Sequence, residues 1–290
     1  METLTTVPAL PPRPVEGHKG MFGRVLVVGG SDEMIGAPVL AGTAALRMGA
    51  GLVQIAVPKS ILAAAISITP ELIGLGLQKR GKRRLLEAAE SADVLAIGPG
   101  LGQSPEARQR LDDLSRLDKS AVVDADALNL LSAGRKWPAS FKLKAVLTPH
   151  PGEMKRLAKL FGQTTVPTDE EGRIKIAIKA AKTFGQIILL KGFRTVVTDG
   201  HRVYLNQTGN SSLSKAGTGD VLTGIIAALI GQKMDHFDAA CLGAHLHGRA
   251  GELAGNRLGM RCVLAQDVIE TIHDVLREME AVLPPLNPES

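Results

Sequence analysis

Short, apolar, β-branched runs recur along the chain between stretches of helical period. They are "RVLVVGG" from Arg24, "LVQIAVP" from Leu52, "DVLAIGPG" from Asp93, "AVVDAD" from Ala121, "AVLTPH" from Ala145 and "QIILLKG" from Gln186. Most are continuously apolar rather than alternating, the pattern of strands covered on both faces. The segments between them carry helix starts. Ser104 precedes Pro105, and Thr168 stands three residues ahead of Glu171, the spacing of a capping box that satisfies two free N–H groups. Strand alternating with helix predicts a mostly parallel sheet layered by helices.

In "TVVTDGHRVYL" from Thr195, Asp199 and Gly200 separate two strand-like runs, so a small antiparallel hairpin is expected on the sheet. Beyond it the pattern is helical, with Phe237 to Ala254 and Ala265 to Leu283 as the last long segments. No linker, repeat or low-complexity stretch divides the chain. One α/β domain over 17–284 is expected, with a loosely held segment at 1–16 and a tail at 285–290.

Composition narrows the partners. A chain of 290 residues with 44% hydrophobic residues can bury a large core. No basic-then-apolar leader stands at the start, and no run reaches the roughly 18 apolar residues that span a bilayer, so a cytoplasmic, membrane-free protein is expected. The net charge of +5 would suit a polyanion, yet only 3% of residues are aromatic, which leaves few platforms for stacking bases; nucleic acid is not expected as a partner. The basic run "KRGKRR", Lys79 to Arg84, reads as a solvated turn and helix start. Cys241 and Cys262 make neither a disulfide framework nor a zinc site and read as buried packing residues.

In open parallel sheets ligands gather where strands end. Glycine-rich stretches occupy such places: "GGSDEMIG" at Gly29 to Gly36, "GPGLG" at Gly98 to Gly102, "TPHPGE" at Thr148 to Glu153 and "KAGTGD" at Lys215 to Asp220. None of them reads as a P-loop or a dinucleotide fingerprint. Val221, Leu222, Ile225, Ile226 and Leu229 recur at helical spacing and put a helix N-terminus at about Asp220. The backbone N–H groups of Gly217, Thr218 and Gly219 then form an anion nest at the positive end of that helix, with Lys215 as a cation beside it. Asp220 has two readings: a helix cap, or a base that takes a proton from a hydroxyl attacking phosphate.

Other polar residues at strand ends also have two readings. Asp124 and Asp126 fall on opposite faces of a strand end, so at most one faces the site, and Asp126 suits the cap of a helix from about Ala127. His150 and Glu153 either complement a helix dipole or face phosphate, metal or substrate. Lys191 faces solvent or phosphate. His245 and His247 lie two apart in a helix, point in different directions and read as packing or surface residues.

Taken in order, "HKGMFGRVLVVGGSDEMIGAPVLAGTAALRMGAGLV", "GPGLG", "VVDADALNLL", "LTPHPGE", "LLKGFRTVV" and "KAGTGDVLTG" closely resemble the ADP- or ATP-dependent NAD(P)H-hydrate dehydratase family of the ribokinase-like superfamily, over roughly Gly17 to Asp274. The resemblance implies a three-layer α/β/α sandwich and a lyase of metabolite repair. The S form of hydrated NADH or NADPH would be dehydrated to the working cofactor, its added hydroxyl phosphorylated and then eliminated.

Carried over by position, the resemblance makes Asp220 the base and Gly217, Thr218 and Gly219 its anion hole. Ala37, Gly102, His150 and Asp220 would contact the hydrated dinucleotide. Lys191, Gly192, Phe193, Arg194, Thr195, Lys215 and Gly219 would contact ADP or ATP. Magnesium is expected, with Asp124 and Glu153 as candidate ligands, and so is a homotetramer.

The chain departs from the family pattern in reading "GNSSLSKAG" where many members have small residues and proline. It also carries His150 where related kinases often have asparagine. Fewer than twenty residues precede the first motif, which leaves no room for the epimerase domain fused to some members. The alternative readings are a small-molecule kinase of the same fold, such as a hydroxyethylthiazole kinase, and a nucleotide-sensing module without catalysis.

Overall fold

The computed structural model describes residues 2–4, 6–78, 81–134 and 136–281. Its strands are β1 (Glu2–Leu4), β2 (Arg24–Val28), β3 (Leu52–Pro58), β4 (Ile73–Leu77), β5 (Val94–Ile97), β6 (Ser120–Val123), β7 (Lys144–Leu147), β8 (Ile187–Leu190), β9 (Val196–Thr198) and β10 (Arg202–Leu205). They form one sheet in the order β1-β10-β9-β8-β7-β6-β5-β2-β3-β4. Every pairing from β4 across to β8 is parallel, while β9 pairs antiparallel with both β8 and β10.

The continuous apolar runs are explained by two cores, one on each face of the sheet. Val25 and Val27 of β2 enter the first core while Leu26 and Val28 enter the second; Val94 and Ala96 are divided from Leu95 and Ile97 in the same way. The first face is covered by α1 (Gly36–Arg47), α8 (Thr218–Gly231), α9 (His236–Leu258) and α10 (Ala265–Ala281), with α2 (Leu62–Ile68) toward the β4 edge. The second is covered by α3 (Lys82–Ser91), α4 (Pro105–Leu114), α5 (Ala125–Ser132), α6 (Pro151–Ala158) and α7 (Glu170–Phe184). This is the α/β/α sandwich the motifs imply.

Helix α8 is the central element. All its residues except Gly219 and Asp220 are buried, so its apolar side chains, each worth about 1.5–3 kcal/mol when sequestered, fix it against α1, α9 and the sheet. A Cβ at Gly224 would lie 2.0 Å from the Ala41 carbonyl oxygen, so α1 and α8 touch through their backbones. The strand order reverses between β2 and β5, and the carboxyl ends of β2, β5, β6, β7 and β8 share one rim. The N-terminus of α8 arrives at that rim.

Several details differ from the sequence reading. Two parts of the N-terminal segment make contacts: β1 pairs parallel with β10, and the Arg13 guanidinium donates to the Gly49 carbonyl at 2.9 Å while lying 3.9 Å from the centre of the Phe22 ring. Strand β4, whose "IGLGL" is interrupted by two glycines and half-exposed, carries too weak a pattern to be read. Helix α7 is capped by Asp169, which accepts from Gly172 N at 2.8 Å, rather than by Thr168. Cys241 is buried but Cys262 is exposed. The hairpin falls where Asp199-Gly200 puts it. Lys79, Arg80, Leu283 and the 285–290 tail lie outside the described residues. Among those described, no helix is long and apolar enough to cross a membrane.

Candidate active site

The rim is assembled by close backbone contact. Gly98, which ends β5, has φ +125°, and a Cβ there would fall 1.8 Å from the Asp124 carbonyl oxygen. Only glycine satisfies both conditions, so the ends of β5 and β6 abut and Asp124 is held at the head of α5.

The Asp124 carboxylate, almost wholly buried, accepts from Lys191 Nζ at 2.8 Å through Oδ1 and from the Thr223 hydroxyl of α8 at 2.9 Å through Oδ2. Lys191 follows β8, and its N–H donates to the Pro149 carbonyl at 2.9 Å. Glu153 Oε2 lies 3.9 Å from Lys191 Nζ and accepts the His150 N–H at 2.7 Å. A Cβ at Gly219 would lie 3.3 Å from Lys191 Nζ, so this ammonium stands against the first turn of α8.

That turn differs from its sequence reading in one respect that matters. Helix α8 starts at Thr218, its N-cap is Gly217 at φ +91°, and no side chain caps it. Asp220 is the third helical residue, and its carboxylate makes no hydrogen bond among the described residues. The reading of Asp220 as a cap is therefore excluded. Burial pushes its carboxyl up, with Asp124, Asp126 and Glu153 adding to the effect and Lys191 opposing it, to about 7. Burial likewise raises Glu153 to about 7, again against Lys191. Burial pulls Lys191 down, but Asp124, Glu153 and Asp220 outweigh it and hold the ammonium charged.

Beside this turn opens a cavity of about 340 Å³, lined by the whole stretch from Lys191 to Thr195 together with Asn206, residues 208–211, Thr218, Gly219 and His247. The 191–195 loop is held from α7: Arg173 donates to the carbonyls of Leu190 and Lys191, at 3.3 and 3.4 Å, and to that of Phe193. Phe193 is 80% exposed at the cavity. Arg194, at φ +52°, pairs with Glu170 at 2.8 Å, and the Thr195 hydroxyl donates to the Gly192 carbonyl at 3.0 Å.

On the far side of Asp124, Ala37 lies in the first turn of α1, where a Cβ at Gly100 would come within 3.0 Å of it. Gly102 N donates to Asp126 Oδ2 at 2.9 Å. His150 is the N-cap of α6 and half-exposed; Nδ1 accepts from Gly152 N at 2.9 Å, and burial, Lys191 and Arg156 hold its pKa down.

Three further differences follow. Lys215 does not supply the nest's cation, because its Nζ donates to the Arg261 carbonyl at 2.8 Å; Lys191 stands there instead. Asp124 and Asp126 both face the site, since β6 stops at Val123 and the chain turns into α5 with Asp124, not Asp126, at its N-cap. His247 is buried at the cavity wall, its Nε2 without a hydrogen-bond partner among the described residues, and burial, opposed by the Thr218 backbone, holds its pKa down at about 4. His247 and Arg173 had no signal beyond residue type. Thr223 had one: it is a polar residue inside an apolar helix, three positions after Asp220 and so on the same face.

Among the described residues no group of three His, Cys, Asp or Glu is arranged to hold a metal, and Asp124 is engaged by Lys191 and Thr223. The donor set fits magnesium carried chiefly by phosphate oxygens and water with a carboxylate in support, the usual manner of that ion, rather than a protein cage.

A mostly parallel sheet with a small antiparallel part, layered by helices on both faces, places the chain in the ribokinase-like class. The hydroxyethylthiazole kinase of Pyrococcus horikoshii shares the fold at a TM-score of 0.66 and 16% identity, covering 89% of this chain and 92% of its own. Within that class the chain belongs to the NAD(P)H-hydrate dehydratase family, whose model matches residues 25–274. It is 45% identical to the bifunctional NAD(P)H-hydrate repair enzyme of Moorella thermoacetica over 93% of this chain, and spans about half, 52%, of that relative. It is 39% identical to the ADP-dependent (S)-NAD(P)H-hydrate dehydratase of Neisseria meningitidis, covering 86% of this chain and 82% of the relative. The ADP/ATP-dependent NAD(P)H-hydrate dehydratase of Bacillus subtilis, co-crystallised with ATP and Mg2+, superposes with a TM-score of 0.80 at 32% identity, covering 93% and 95% of the two chains.

Proposed function

We propose that this chain dehydrates the S form of hydrated NADH or NADPH, using ADP or ATP to activate the added hydroxyl. The observation that carries the proposal is Asp220: a half-buried carboxylate without a hydrogen bond among the described residues, held up at about 7, in the first turn of a helix whose free N–H groups open beside the 340 Å³ cavity. A base whose pKa lies near the working pH is suited to proton abstraction.

In this reading Asp220 takes the hydroxyl proton as the oxygen attacks the terminal phosphorus, and the shortened nucleotide leaves. Elimination follows: the C–O bond breaks, inorganic phosphate departs with that electron pair, and loss of a proton from the adjoining carbon restores the ring double bond. The N–H groups of Gly217, Thr218 and Gly219 and the Lys191 ammonium stabilise charge on the transferred group. Residues 191–195 hold the nucleotide, while Ala37, Gly102 and His150 hold the dinucleotide. Magnesium, when bound, would neutralise phosphate charge, and Asp124 and Glu153 are the carboxylates that would hold it. Cytoplasmic residence and a tetramer belong to this proposal by family likeness.

Mixing the protein with hydrated NADH, magnesium and either ATP or ADP tests it. Absorbance at the reduced-nicotinamide band should recover and inorganic phosphate should appear. A small-molecule kinase would leave a stable phosphorylated product, and no recovery with either nucleotide overturns the proposal.

A further inference from the structure

One exposed cation stands on the rim between Gly102 and His150. Arg156, in α6, donates from Nε to Asn129 Oδ1 at 2.9 Å. Asn129 Nδ2 in turn lies 3.4 Å from Asp126 Oδ1, whose other oxygen accepts the Gly102 N–H at 2.9 Å. On the opposite side, a Cβ at Gly152 would fall 2.7 Å from His150 Cε1 and 3.9 Å from Arg156 Nη1. The guanidinium thus stands beside the His150 ring and is linked by contacts to Gly102, the two positions assigned to the dinucleotide above.

The other cations around the site are engaged. Lys191 is paired with Asp124, Arg173 with the carbonyls of the 190–193 turn, Arg194 with Glu170 and Lys215 with the Arg261 carbonyl. Arg156 differs: Nε is tethered, while its two terminal nitrogens make no hydrogen bond or ion pair among the described residues. The tether orients the guanidinium plane and leaves the fork open, and that fork matches two phosphate oxygens at once. The surroundings also call for such a cation. Asp124, Asp126, Glu153 and Asp220 face a single ammonium, Lys191, so a polyanionic ligand approaching this rim is repelled unless another positive group meets it.

We propose that Arg156, oriented by Asn129, is a substrate-binding residue that takes a phosphate group of the hydrated dinucleotide. The inference rests on the dehydratase reading for the identity of the ligand. The phosphate has two sources, the pyrophosphate bridge common to both dinucleotides and the 2′-phosphate of the NADP series.

Kinetics of Arg156→Gln and Arg156→Lys with hydrated NADH and with hydrated NADPH decide the matter. Arg156→Gln should raise the KM for the hydrate about tenfold or more, the loss expected for a charge-assisted bidentate contact, and leave kcat and the KM for ATP near wild type. The wild-type KM should climb with ionic strength and that of Arg156→Gln much less; Arg156→Lys should recover part of the loss. A rise with both hydrates assigns the bridge, and a rise with the NADPH form alone assigns the 2′-phosphate; either supports the proposal. An unchanged KM with both in a folded, active variant overturns it. Should the wild-type protein dehydrate neither hydrate, the functional reading fails, yet the contact is still decided by titrating fluorescent NADH and NADPH onto wild type and Arg156→Gln. Equal affinities there overturn it as well.

Discussion

The Lys191 ammonium and the Asp124 carboxylate meet at 2.8 Å, the carboxylate 2% and the lysine side chain 19% exposed. They come from the ends of β8 and β6, with β7 between them, and Asp124 also holds Thr223 of α8. The pair therefore joins the sheet to the helix that carries Asp220. Lys191→Met leaves Asp124 buried without its cation, which should cost about 3–5 kcal/mol. The Lys191 pKa is raised by the pairing, so its contribution is fully present below the ordinary lysine value and is lost only as pH climbs through the higher folded value. Urea unfolding at pH 7 measures the loss. In the double variant Lys191→Met/Asp124→Leu most of the stability should return while turnover stays absent; a double variant as unstable as the single would show that the pair is not the source.

Asp220→Asn separates catalysis from stability in the opposite sense. Turnover should fall by about two or more orders of magnitude, as for the loss of a general base, with nucleotide affinity retained. Because burial raises this carboxyl from 3.8 to about 7, the folded state binds a proton the unfolded chain has released, and stability drains away as pH rises between those values. At pH 8 the variant should thus be more stable than wild type, by about 1 kcal/mol or more, a gain absent below pH 4. Thermal unfolding at the two pH values, with single-turnover kinetics, checks both halves. Equal turnover would make Asp220 a bystander.

The pH profile follows from the same crowding of carboxylates. As the base must be ionised, kcat/KM should rise with pH through an apparent midpoint near 7. Glu153 is raised to the same region and the two influence one another, so the observed step belongs to the pair. Glu153→Gln removes one of the charges that hold Asp220 up and should move the midpoint to lower pH. A midpoint unchanged or higher in that variant would show that Glu153 does not act on the base.

Sheet and layers were legible because strands buried on both faces write continuous apolar runs, and the two cores on either side of Val25–Val28 are the reason. The weak edge was not: β4 is broken by glycines and exposed at its start, and β1 lies in a proline-rich start with no pattern of its own. Within the site, the helix start at Gly217 to Asp220 could be read because glycines before an apolar run mark a turn into a helix. Which lysine stands beside that turn could not, since Lys191 arrives from the end of β8, distant in sequence, and Lys215, though adjacent in sequence, turns away to the Arg261 carbonyl. The two aspartates depart from strand alternation for a local reason. β6 ends one residue before Asp124, so strand alternation no longer applies to Asp124 and Asp126. His247 contacts the site from a helix packed on α8, a relation no spacing encodes.

The nest itself is tested by Gly219→Ala. Gly219 sits inside the first turn of α8, outside the positive-φ region, so alanine should stabilise the helix by up to about 1 kcal/mol. The added methyl would stand 3.3 Å from Lys191 Nζ, at the end of a flexible side chain that can give by a few tenths of an ångström, and 3.8 Å from Asp124 Oδ2. Folding is thus not expected to suffer. Phosphate approach is, because the methyl projects toward the space between Lys191 and the helix N–H groups, where the oxygens of the transferred group would lie. The melting temperature should hold or rise while the KM for ATP or ADP rises about tenfold or more and Asp220 keeps its pH midpoint. A variant with a normal nucleotide KM would mean that phosphate is bound elsewhere, and the opening between Lys191 and Gly219 would then have no part in the reaction.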